Sequence, residues 1–186
     1  MENLNGKRVA ILATDGFEQS ELLEPKKALE AAGAEVRIVS LKPGQIKGWK
    51  DGNWGESVAV DVLVTDVSAA EFDGLVLPGG VINPDKLRVD EDAVAFIRAF
   101  FEHGLPVGAI CHGPWTLINA GVVDGRLLTS YNSIRLDLEN AGARWVDEEV
   151  VCEQGLVTSR TPKDLPAFCA KLVEEIHEGV HAGQTA

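Results

Sequence analysis

Four short apolar runs, each stopped by Gly, Pro or Asp, constrain this chain most: KRVAILAT (7–14), AEVRIVSL (34–41), DGLVLPGG (73–80) and LPVGAICHG (105–113). They lack the alternation of a half-exposed strand, so they suit strands buried on both faces of a parallel sheet. Helical patterns lie between them. PKKALEAAG (25–33) places Pro at a first-turn position and ends on a capping Gly. DEDAVAFIRAFFEHG (90–104) offers Asp90 as an N-cap and an apolar stripe of Val94, Ile97, Phe100 and Phe101. Strand and helix in alternation predict an open α/β sheet with helices on both faces, and ligands in such folds gather at the carboxyl ends of the strands.

The rest of the chain is expected to decorate this core. Residues 42–62 break the rhythm with Gly, Trp and charge and predict a surface excursion with a short strand pair. Residues 144–158 read as a small antiparallel hairpin turning at 153–155, residues 164–180 as a closing helix, and the tail HAGQTA as frayed. At 186 residues and 45% hydrophobic content, the chain is expected to form one domain over 1–186. The opening apolar run of five residues is too short for a signal segment or membrane span, which predicts a cytoplasmic protein without a membrane partner. A formal charge of −12 with no basic stripe argues against nucleic acid.

Three cysteines, Cys111, Cys152 and Cys169, are odd in number and form no CxxC pair, so free thiols are expected, with no metal and no cofactor. Cys169 shares a helical stripe with Leu172, Val173 and Ile176, and Cys152 lies within a strand; both read as small buried hydrophobes. Cys111 ends the strand PVGAI and is followed by HGPWTLINAG, which turns into a helix through Gly113 and Pro114. Strand, sharp turn and helix together make a nucleophile elbow. Free amides and the helix end there favour thiolate, and cysteines so placed have pKa values down to about 3.5–7.5. Amides of His112 and of the PGG stretch (78–80), with Gly80 the candidate, are positioned to face an oxyanion.

A reactive thiol needs a base and a carboxylate. His112 is adjacent but serves only if the turn swings its ring toward the sulfur; His103, His177 and His181 suit capping and tail positions. Glu18, in ATDGFEQSEL (13–22), follows the first strand on the edge where Cys111 emerges. It reads either as a helix-start acid favouring the dipole or as a partner of the thiol, and in the second case it is protonated, because two adjacent negative charges are unfavourable.

DGFEQSEL, FDGLVLPGG, NPDKLR, AICHGPWTLINAG, LTSYNSIRLDLENAGARWVDEEVV and LVTSRTPKDLPAF occur here in an order that resembles the PfpI-type members of the ThiJ/PfpI superfamily, the intracellular-protease-I-like proteins, among which are general stress proteins. The resemblance implies a flavodoxin-like three-layer α/β sandwich, a Cys111 nucleophile and Glu18 as its protonated hydrogen-bond partner. It further implies a homodimer or higher homo-oligomer, in which Asp85 of a neighbouring subunit orients His112. Trp115, just after the elbow, is expected to narrow the pocket.

Two functions compete. In the first, the Cys111 thiolate attacks a small carbonyl or peptide substrate, His112 is the base, and the Gly80 and His112 amides hold the oxyanion; the resemblance implies peptidase or glyoxalase/deglycase chemistry. In the second, the chain is a redox-sensing or protective stress protein whose Cys111 becomes a sulfinate stabilised by Glu18. An amidotransferase-like domain is disfavoured, because no His-x-Glu pair follows the elbow.

Overall fold

The computed structural model describes residues 2–186. The chain opens with β1 (Arg8–Leu12) and β2 (Phe17–Glu18), followed by α1 (Gln19–Ala31) and β3 (Glu35–Ser40). A hairpin of β4 (Gln45–Lys50) and β5 (Asn53–Ala59) leads to β6 (Val62–Leu63) and β7 (Gly74–Leu77). Then come α2 (Ile82–Leu87), α3 (Glu91–Glu102), β8 (Val107–Ile110) and α4 (Trp115–Ala120). The last part comprises β9 (Leu127–Leu128), α5 (Arg135–Asn140), β10 (Arg144–Trp145), β11 (Val150–Glu153), β12 (Leu156–Ser159) and α6 (Leu165–Glu178).

Seven strands form the central sheet in the order β11-β12-β8-β7-β1-β3-β6, parallel throughout except for the edge strand β11. The two-residue period of a strand sorts its side chains between two cores. Ala10, Leu12, Leu75 and Leu77 pack with Ile97, Phe100 and Phe101 of α3 and Leu117 of α4. Val9, Ile11 and Val76 pack with Leu22 and Leu29 of α1 and Phe168, Leu172 and Ile176 of α6. The result is the expected sandwich of helices, sheet and helices. Asp90 caps α3 as expected, its carboxylate accepting from Ala93 N–H at 2.9 Å.

Three local expectations change, and the short strand pair expected within 42–62 is found. The first helix begins at Gln19, not at Pro25, which lies inside it and is buried. Pro25 withholds one helical hydrogen bond, at a cost of about 3 kcal/mol in an unsupported helix, but Leu22 and Leu29 on the same stripe are buried against α6 and carry the helix through it. The excursion at 42–62 is the β4–β5 hairpin, turning at Asp51 and Gly52, both at positive φ, and β4 joins β2 in register Glu18↔Trp49. Of residues 144–158, only the later part forms the hairpin: β11 and β12 turn at Gln154–Gly155 and join the main sheet, whereas β10 pairs separately with β9. The tail is tied down, with His181 N–H donating to Gly104 C=O at 2.8 Å and the Arg126 guanidinium donating to Thr185 C=O.

No helix of the described residues is long and apolar enough to cross a membrane.

Candidate active site

Three parallel strands, β1, β7 and β8, deliver their carboxyl-end loops to one place. Buried Asn83 fastens two of them, accepting from Thr14 N–H at 2.8 Å and donating to the carbonyls of Pro78 at 3.0 Å and Gly79 at 3.2 Å. Gly80 has φ 78°, and a Cβ there would lie 2.4 Å from the Gly16 carbonyl oxygen, so only glycine lets the β7 loop approach β1 this closely. Cys111 follows β8 with φ 63°, a conformation that non-glycine residues rarely adopt. Its N–H donates to Ser159 C=O at 3.0 Å and its C=O accepts from Tyr131 N–H at 2.8 Å, and these bonds hold the strained turn in place.

The turn does bring the histidine round. His112 Nδ1 lies 3.3 Å from Cys111 Sγ, while Nε2 lies 3.1 Å from Ser133 Oγ. The imidazole stacks on Tyr131 at 4.8 Å between centroids and meets the edge of Trp115 at 5.5 Å. Burial lowers its pKa, so the ring is neutral at pH 7 and able to accept a proton. The backbone N–H groups of Gly80 and His112 both point at the Cys111 sulfur.

The carboxyl beside the thiol belongs to Glu21, not Glu18. Glu21 is fully buried on α1; its Oε2 accepts from Gly79 N–H at 2.8 Å, its carboxyl contacts the Cys111 thiol, and Oε1 has no well-aligned partner. Burial, followed by the nearby Glu18 charge, pushes Glu21 up to about 8, so it is mostly protonated at pH 7. Glu18 instead precedes the helix, stands in the pocket wall, and accepts from Ser20 Oγ at 3.3 Å. Its pKa is raised, chiefly by burial. The sequence signal for Glu21 was its place on the stripe of Leu22, Pro25 and Leu29; reading Pro25 as a helix start hid that phase.

The expectation of an acidified Cys111 thiol is also corrected. The side chain is buried, with the residue only 7% exposed, and burial followed by the Glu21 charge pushes the thiol up, against the two amides that favour thiolate. A protonated Glu21 removes the opposing charge and can donate to sulfur, so thiolate formation depends on where that one proton sits. The other thiols are half-buried and pushed up to about 12, Cys152 by burial and Glu175, Cys169 by burial and Glu24.

A cavity of about 410 Å³ opens onto Cys111 and is walled by Trp49, Val81, Ile82, Tyr131, Pro162 and Glu18. Trp49 arrives on the β4–β5 hairpin, edge-on to Trp54 at 5.3 Å. Trp115 does not line the cavity; its Nε1 donates to Asp137 at 2.8 Å and Arg88 covers its ring, so it braces His112 from behind. Asp85 is exposed on α2, and among the described residues its side chain makes no hydrogen bond.

The model of the DJ-1/PfpI family matches residues 7–175. The chain is 49% identical to General stress protein 18 of Bacillus subtilis over 88% of this chain and 94% of that protein. It is 48% identical to Protein/nucleic acid deglycase 2 of Escherichia coli over 87% of this chain and 93% of that one. Among solved structures, it superposes with TM-score 0.87 and 34% identity on a two-domain protein of Anabaena variabilis that contains DJ-1/ThiJ/PfpI-like and ferritin-like domains, covering 97% of this chain and half of that one. A second solved structure, DJ-1 of Schizosaccharomyces pombe, shares the fold with TM-score 0.81 at 23% identity, over 90% of each chain. This chain belongs to the DJ-1/PfpI family.

Proposed function

We propose that the chain is a cytoplasmic, cysteine-dependent hydrolase of small carbonyl adducts, of the deglycase type, acting in a stress response. The observation that supports it is the convergence of Glu21, His112 Nδ1 and the Gly80 and His112 amides on the Cys111 sulfur at the floor of a cavity. In this reading His112 Nδ1 takes the thiol proton while the protonated Glu21 carboxyl steadies the thiolate. Sulfur bonds to the carbinol carbon of the adduct as the carbon–nitrogen bond breaks, and the amine leaves with the proton from His112. The resulting hemithioacetal passes its carbon-bound hydrogen to the neighbouring carbonyl carbon while the two amides hold the oxygen as its charge develops, and water hydrolyses the thioester so formed and restores the thiol. A relative named as a deglycase supports this choice of substrate, and a second, 47% identical and named a putative cysteine protease, keeps peptide as the competing substrate.

The active form in this reading is a homo-oligomer in which Asp85 of one copy, exposed on α2, approaches His112 of the next. Cys111→Ser is expected to abolish turnover of methylglyoxal-derived adducts while leaving the unfolding temperature unchanged; full retained activity would sink the proposal.

The same donors also favour a second reading, a redox sensor, because a protonated Glu21 and two amides would serve sulfinate oxygens equally well. Intact mass after mild peroxide tests it: a gain of about 32 Da on the Cys111 peptide is expected, and none removes the sensor.

A further inference from the structure

We propose that Ser133 is the positioning residue that sets which nitrogen of His112 carries the proton, an inference that rests on His112 acting as the base toward Cys111. A neutral imidazole has one N–H and one lone pair. To take the thiol proton, His112 must present its lone pair at Nδ1, 3.3 Å from sulfur, and must therefore carry its hydrogen on Nε2. With the hydrogen on Nδ1, the ring can only donate to sulfur and is no base.

The Nε2–H needs an acceptor, because the residue is only 7% exposed. Among the described residues, Ser133 Oγ at 3.1 Å is its hydrogen-bond partner. Ser133 is itself exposed, so its hydroxyl hydrogen has water to donate to and its oxygen is left to accept from the ring.

Ser133 owes this position to tertiary contacts. Tyr131 N–H is bonded to the Cys111 carbonyl, the Tyr131 ring stacks on the imidazole, and Trp145 Nε1 donates to Ser130 Oγ at 3.0 Å. The segment 130–133 is thus fastened to the elbow, and the imidazole is held between Tyr131 and Trp115. With the ring clamped, its protonation pattern is the remaining variable, and Ser133 sets it from within one chain, before any carboxylate of a second copy arrives.

Nitrogen NMR of histidine-labelled protein reads the tautomer directly, and iodoacetamide alkylation of Cys111 reads proton abstraction without turnover. The unsubstituted protein is expected to carry the His112 hydrogen on Nε2. Ser133→Ala is expected to mix the tautomers and slow alkylation at pH 7 about five- to tenfold, the loss of one hydrogen bond, with unchanged unfolding temperature, and Ser133→Thr to restore both. An Nδ1–H tautomer in the unsubstituted protein, an unchanged alkylation rate in Ser133→Ala, or no rescue by Thr overturns the inference. Neither readout requires hydrolysis, so both stand even if the Cys111→Ser variant retains activity and the hydrolase reading falls.

Discussion

The Glu21 carboxyl and the Cys111 thiol are buried against each other at the carboxyl end of the sheet, and both are pushed toward their protonated forms. Glu21 sits at the third position of α1 with one oxygen on the Gly79 amide, so the β7 loop, the first helix and the elbow meet at one proton. Two negative charges in that corner would be costly.

Stability should therefore fall as the corner ionises. Glu21 has a pKa of about 8 in the folded chain against 4.5 for an ordinary glutamate, so between these values the folded state binds the extra proton. That stabilisation is complete below 4.5 and is lost as pH rises through about 8. Thermal unfolding at pH 5 and pH 9 should show a clear drop in Tm for the natural chain. Glu21→Gln, neutral and of the same shape, should flatten the drop; a parallel pH profile in the variant would contradict the assignment.

Alkylation of Cys111 should report the same proton from the other side. Below about pH 8 a protonated Glu21 leaves the thiolate unopposed, and above it the Glu21 charge pushes the thiol up. The rate constant for iodoacetamide should rise with pH and then flatten near 8, whereas in Glu21→Gln it should continue to rise. Identical curves for the two proteins would show that Glu21 does not govern the sulfur.

Asn83 should matter more than its distance from the chemistry suggests. It satisfies one buried amide and two carbonyls, in the loops after β1 and β7. Asn83→Ala leaves the Thr14 N–H and the Pro78 carbonyl unpaired at about 1–3 kcal/mol for each, while the Gly79 carbonyl keeps Glu18 N–H as a donor at 3.3 Å, and it releases the Gly80 amide from its place over the sulfur. A lowered Tm together with slowed Cys111 alkylation is expected; slowed alkylation at unchanged stability would place Asn83 in the chemistry instead.

Much of the fold was legible because it follows from local pattern. Apolar runs without alternation marked the strands of a sheet buried on both faces, and Asp90 announced α3 through its side-chain bond to Ala93. The elbow was legible for a similar reason: Gly113 is required because a Cβ there would lie 2.4 Å from the Leu77 carbonyl oxygen, a backbone constraint visible as a Gly in the sequence. Helix phase was not legible once a proline intervened. Pro25 reads as a start, but the burial of Leu22 and Leu29 outweighs its lost hydrogen bond, and with the start at Gln19 the buried acid becomes Glu21. The tryptophan that walls the pocket was misplaced in the same way, because Trp49 reaches the site only through the pairing of β4 with β2.

By itself, then, the sequence determined the strand–helix alternation, the strained turn at Cys111 and the adjacency of His112, all properties of short segments whose physics is local. Only the tertiary structure decided which carboxyl shares a proton with the thiol, which tryptophan walls the cavity and which hydroxyl receives His112 Nε2. Those choices depend on helix phase, strand register and loop fastening between segments far apart in the chain, where burial energy overrides local preference.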